Sequence, residues 1–205
     1  MQSRVLKKSI AAAVGVFFLL VAYYGSYLPL KKSLVFIAAL RQADAITSFD
    51  EFAEVFSAPL EVPSPIGQEE LVRNVGQNIL GIVQQTDDPR LIDAVHQLLD
   101  KYYAPIIAHG KGTNFAQNVF ILGTINEVAY RKTGEARYLE AAERFYLKGL
   151  ELSPARPQFL YALFALYGGL GRHDEARRIG EQILTQWPTD ERTREALSTI
   201  GGAAE

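Results

Sequence analysis

The chain has 205 residues, room for a membrane anchor and one domain of ordinary size but not for a second large domain. Its 48% hydrophobic and 21% charged residues exclude both a disordered and a wholly membrane-embedded chain, and the absence of cysteine excludes disulfides, thiolate metal sites and a thiol nucleophile. The segment up to Lys32 carries Arg4, Lys7, Lys8, Lys31 and Lys32 and no acid, which leaves the remainder with 16 of the 21 bases against all 23 acids, a poor match for nucleic-acid phosphates. No nucleic-acid partner is expected.

From Ser9 to Leu30 no side chain is charged. As a helix this stretch is about 33 Å long, enough to cross a bilayer once. Lysines flank it, and Tyr23, Tyr24 and Tyr27 cluster at its distal end, where amphipathic rings favour the headgroup layer. No small-x-small pair follows the apolar core, so a retained anchor over 9–30 is expected rather than a cleaved leader. Arg4, Lys7, Lys8 and the amino terminus slightly outweigh Lys31, Lys32 and Arg41, which favours an inside amino terminus and a domain outside the cytoplasm.

Leu34 to Leu40 is a second apolar run, too short to span, that either continues the helix, lies on the membrane surface or enters the domain core. Ser48 and Glu51 have capping-box spacing before Phe49, Phe52, Ala53 and Phe56, which share one helical face; Pro63 and Pro65 close that segment. Leu71, Val72, Val75, Ile79, Ile82 and Val83 follow the helical period between Gln68 and Gln85. Asp88 and Pro89 form an N-cap and first-turn pair for a helix expected to bury Leu91, Val95, Leu98, Leu99, Tyr102 and Ile106. No strand-like alternation occurs, and residues 33–113 are read as a divergent helical region. His109-Gly110-Lys111-Gly112-Thr113 lacks the earlier glycine and the preceding strand of a phosphate loop, and reads as an interhelical turn.

Between Asn114 and Ile200 the chain repeats itself. Tyr130 and Gly134 recur as Tyr167 and Gly171, and Ala142 and Pro154 recur as Ala176 and Pro188, the alanines and the prolines at one and the same separation. Gly134 to Ala142 is eight residues where Gly171 to Ala176 is five, so a three-residue insertion is expected in the first hairpin turn. Local physics accounts for the spacing: Tyr167 lies one turn from Leu163, Gly171 permits the left-handed residue that ends the helix, and Ala176 lets the return helix approach closely. Thr189 begins a final polar helix suited to capping a stack.

On these residues the region 114–205 resembles the tetratricopeptide repeat family, whose period the prolines match, with Leu160, Leu163, Tyr167, Gly171, Ala176 and Pro188 at matching positions of a unit running from Pro157 to Asp190. Phe164 and Gly180 depart from it, standing where the family has a small and an aromatic residue. A looser likeness, through Tyr138-Leu139-Glu140-Ala141-Ala142 and Leu150-Glu151-Leu152-Ser153-Pro154, is to the carboxyl-terminal part of bacterial O-antigen-ligase-like membrane proteins, without their polymerising core. The uncharged stretch and the helical periods predict an all-α chain with a single transmembrane helix, and the first resemblance implies that an α-solenoid of helical hairpins follows it and docks a protein or peptide. Gln158, Tyr161, Ala165 and Gly168 fall where that family's concave surface lies, with Tyr161 the expected anchor. The second implies the alternative of an accessory module in an envelope polysaccharide assembly, bound through its membrane helix.

Asp93, His96 and Asp100 follow at three and then four residues and so share a helix face where a metal ion could meet them. That face lies opposite Leu91, Val95, Leu98 and Tyr102 and is expected to point into water as a solvated charge cluster. His173, Asp174 and Glu175 open a helix, where acids favour the dipole. No catalytic, cofactor or metal residue is therefore assigned, no small-molecule substrate is expected, and binding is the expected activity.

Overall fold

The computed structural model describes residues 2–112 and 114–202; Thr113, the end of the Gly-Lys-Gly run, lies outside them. Every regular element among the described residues is helical. The helices are α1 (Gln2–Ala22), α2 (Leu28–Gln42), α3 (Phe49–Glu61), α4 (Gln68–Gln85), α5 (Pro89–His109), α6 (Phe115–Thr133), α7 (Ala136–Leu152), α8 (Pro157–Gly169), α9 (His173–Gln186) and α10 (Glu191–Gly202). The chain divides into two compact units, residues 1–75 and 76–205.

In the first unit α1 and α2 form one helical rod joined by a π-helical turn, Tyr23–Tyr27. Pro29 explains the widened turn: its ring would clash with the carbonyl four residues back, and the π turn carries the helix past it, with Leu28 N–H donating to Tyr23 O. From Leu6 to Gln42 this rod is long and apolar enough to cross a membrane. The Leu34–Leu40 run continues the helix. One face of α2, with Leu28, Lys32 and Ala39, is buried, and α2 packs on α3; Leu30, Leu34 and Ile37 face outward. Ser48 caps α3 by accepting from Glu51 N at 3.2 Å, but the Glu51 carboxylate reaches back one residue further than a capping box requires, accepting from Thr47 N at 2.9 Å. The interior of α3 is Phe52, Phe56, Pro59 and Leu60, with Phe49 half-buried.

The second unit begins within α4. Asp88 caps α5 by accepting from Arg90 N at 2.9 Å, with Pro89 in the first turn. The core face of α5 holds Ile92 and Tyr103 where periodicity places Leu91 and Leu98, which are half-buried. Tyr103 sits inside because Gly76 makes room, a Cβ there lying 2.1 Å from the Tyr103 hydroxyl. Beyond α5 the helices pack successively: α5 on α6, α6 on α7, α7 on α8, α8 on α9 and α9 on α10. Gly134 and Gly171 are both left-handed, at φ +72° and +68°, as their place at helix ends requires. Gly171 closes α8 with a paired motif, Arg172 N donating to Tyr167 O at 2.9 Å and Gly171 N to Gly168 O at 3.2 Å.

The expected insertion in the first hairpin turn is not a turn insertion. Both return helices start two residues after the glycine, at Ala136 and His173, and the extra residues lengthen α7 by most of a turn. Buried Ala142, Tyr146 and Gly149 on α7 then recur, at the separation of Pro154 from Pro188, as buried Ala176, Gly180 and Ile183 on α9. The last helix also starts later than expected: Asp190, not Thr189, caps it, accepting from Thr193 N at 3.2 Å and from the Thr193 hydroxyl at 2.8 Å.

Candidate docking face

Helix α8 has two faces of different character. Pro157 fits its first turn, where no N–H is needed, and Phe159, Leu160, Leu163, Leu166 and Tyr167 are all buried. On the other side Tyr161 is 39% exposed, Ala165 and Gly168 are exposed, and Gln158 is half-buried. A Cβ on Gly168 would meet nothing within 4 Å, so the far end of this face is open. The four residues thus form one accessible strip.

Tyr161 is more committed than its exposure suggests. Its hydroxyl donates to Asp190 Oδ2 at 2.5 Å, and its ring stacks on Trp187 with centroids 6.1 Å apart. Asp190 is the cap of α10, so Tyr161 ties α8 to the start of the last helix. The hydroxyl's bond, followed by those from Thr193, holds the Asp190 carboxyl below its ordinary value, and the same bond raises the phenol. A ligand would therefore meet a ring already oriented from behind.

Asp93, His96 and Asp100 do not converge, and only Asp100 is exposed, Asp93 and His96 being half-buried. Asp93 accepts from the Tyr138 hydroxyl at 2.6 Å and pairs with Arg137, both on α7; the Tyr138 bond first, then Arg137, keeps its carboxyl below the usual range. The His96 ring lies 4.5 Å from that of Tyr138, its Nδ1 donating to Ile92 O at 2.8 Å, while Nε2 is buried and without a partner. The His96 ring lies against a cleft of about 360 Å³ that also takes in Asp100 and Asn126. Among the described residues no three acidic, histidine or cysteine side chains are placed to hold a metal ion. The expectation that this face points into water holds for Asp100 and is corrected for Asp93 and His96, because Arg137 and Tyr138 of α7 cover that part of it.

A network that sequence reading missed joins the two hairpins. Arg172, in the turn between α8 and α9, pairs with Glu143 of α7 at 2.9 Å and with Glu175 at 2.8 Å, and its guanidinium lies 4.5 Å over the Tyr167 ring. Tyr167 donates to the other Glu143 oxygen at 2.9 Å. Burial and this bond push the Tyr167 phenol up to about 12, and the Arg172 bond leads in lowering Glu143. One guanidinium is shared by two carboxylates, and these bonds tie α7 to the turn between α8 and α9.

No family model, curated protein or solved structure matches this chain.

Proposed function

We propose that this chain is a single-pass membrane protein whose tetratricopeptide-like, solenoid-forming hairpins dock a protein or peptide at the bacterial envelope, the anchor being residues 9–30 and the domain lying outside the cytoplasm. The observation that carries the reading is the recurrence, at one constant spacing, of the buried positions of α7 in α9, beside an α8 whose opposite face stays accessible. Stacked hairpins bury one side of each first helix and leave the other as a binding surface. Tyr161, Ala165, Gly168 and Gln158 offer apolar contact and backbone rather than charge, so the partner chemistry is an apolar or aromatic segment.

The alternative, an accessory module of an envelope polysaccharide assembly held through its membrane helix, is favoured by the exposed apolar surface of residues 6–22. Two replacements separate the readings when the proteins co-purifying from native membranes are compared. Tyr161→Ala with the anchor intact is expected to remove the specific partner, whereas exchanging residues 9–30 for an unrelated membrane helix leaves it in place. The reverse pattern assigns the interaction to the membrane helix. Tyr161→Phe belongs in the same comparison, because it keeps the ring while removing the Asp190 bond, and so reports whether loss of capture follows the surface or the α8–α10 tie.

A further inference from the structure

Lys32 stands two residues beyond the uncharged stretch, about 3 Å further along the helix and hence at headgroup depth if residues 9–30 cross a bilayer. A lysine there usually reaches for the interface. This one is only 5% exposed, its ammonium donating to Val62 O at 2.8 Å and to Gln68 Oε1. Both acceptors are neutral and an ammonium has three donors, so one donor and the whole charge favour an anion.

A pocket of about 360 Å³ opens beside it, between α2 and the start of α4, lined by Lys32, Ser33, Ile37, Ile66 and Glu70 among others. Glu70, on the facing helix, is 63% exposed and only loosely paired, with Arg73 at 3.7 Å. Ile66 is 61% exposed at the tip of a loop stiffened by Pro63 and Pro65, where the Ser64 hydroxyl donates to Ile66 O at 2.8 Å. The outward face of α2 continues the same apolar rim through Leu30, Leu34 and Ile37, 58%, 56% and 43% exposed. A rigid loop holding isoleucine outward, continuous with the surface of the membrane rod, is unfavourable in water and favourable among acyl chains.

We propose that this pocket binds the headgroup of a zwitterionic phospholipid with a primary amine, of the phosphatidylethanolamine type. The phosphate accepts from Lys32 and Ser33, the ammonium donates to Glu70, and Ile66 enters the upper acyl layer beside α2. Glu70 disfavours a purely anionic headgroup, and a trimethylated choline has no N–H to donate. The inference rests on the reading that residues 9–30 span a bilayer.

Native mass spectrometry of the full chain in mild detergent, with equal amounts of phosphatidylethanolamine, phosphatidylcholine and phosphatidylglycerol, reads the preference directly. The ethanolamine lipid is expected to be retained at least about three-fold over the others. Lys32→Gln should lose all three. Because that change also removes the bonds to Val62 and Gln68, Glu70→Lys, at an exposed side chain, is the second variant and should turn the preference toward phosphatidylglycerol. Equal retention in the unmodified chain, an unchanged preference in Glu70→Lys, or displacement of the lipid by inorganic phosphate alone would each overturn the proposal. Extraction of the chain from membranes by alkaline carbonate would instead remove the spanning reading; a chain that stays in the membrane without lipid preference removes only the pocket.

Discussion

In the α6–α7 hairpin, the ring of Tyr146 on the second helix presses on Gly123 of the first, where a Cβ would lie 2.4 Å from it. In the α8–α9 hairpin the residue one repeat after Tyr146 is Gly180, and the room it leaves is taken by Phe164 of the first helix and Leu197 of α10, which approach a Cβ there to 2.9 and 2.8 Å. The ring has changed helices while the spacing of the buried positions has not. What the repeat conserves is therefore filled volume at the crossing, since a core accepts exchanges that keep its total size. Phe164 and Gly180 thus form one compensated pair.

The largest expected effect tests the crossing between the hairpins. A Cβ on Gly149 would meet the Phe159 ring at 2.1 Å, and that ring is fully buried, so it has nowhere to yield. Gly149→Ala is expected to cost about 3 kcal/mol in chemical unfolding, and Phe159→Leu on that background to recover part of it. A cost near zero would show that the hairpins do not meet this closely.

Ala176 has no exposed surface, and its counterpart Ala142 has none either. Ala176→Leu should destabilise by about 1–3 kcal/mol, whereas His173→Ala, at an exposed position one turn earlier, should stay within about 0.5 kcal/mol. Equal midpoints for the two variants would contradict the register that aligns Ala142 with Ala176.

A smaller effect should appear in acid. Glu143 is held below its ordinary value of 4.5 by Arg172 first and Tyr167 second. A lowered carboxylate adds stability above the unfolded value and loses it as pH falls through the folded one, so the window lies below 4.5. Arg172→Met should therefore lower the melting temperature near neutrality, and its difference from the unmodified chain should shrink as pH drops from about 5 to about 3. A difference that stays constant would mean that Arg172 acts by packing on Tyr167 alone.

Local signals in the sequence carried most of the helix boundaries. Ser48, Asp88, Gly134 and Gly171 each act on groups within five residues, and their types dictate the backbone found there. The recurrence of Ala142 and Pro154 as Ala176 and Pro188 was legible for the same reason: it needs only spacing. Links between distant segments were not. Asp93 looked solvated because its partners Arg137 and Tyr138 come 44 and 45 residues later, and the tie of Tyr161 to Asp190 spans 29 residues. Lys32 was counted as a flanking surface charge, yet the fold turns it inward onto Val62 and Gln68. In each case a polar side chain's environment depended on which helix arrives beside it, information that periodicity does not contain.

The docking claim is tested most directly by site-directed photo-crosslinking in native membranes, with the reactive group placed at exposed Ala165 on the α8 face or at exposed Arg178 on α9. Neither position carries a core side chain, so both variants should melt as the unmodified chain does. The account predicts a discrete adduct from position 165, lost when Tyr161→Ala is added, and none from position 178. The same adducts from both positions, or none from position 165 in a chain that remains folded and membrane-bound, would contradict it.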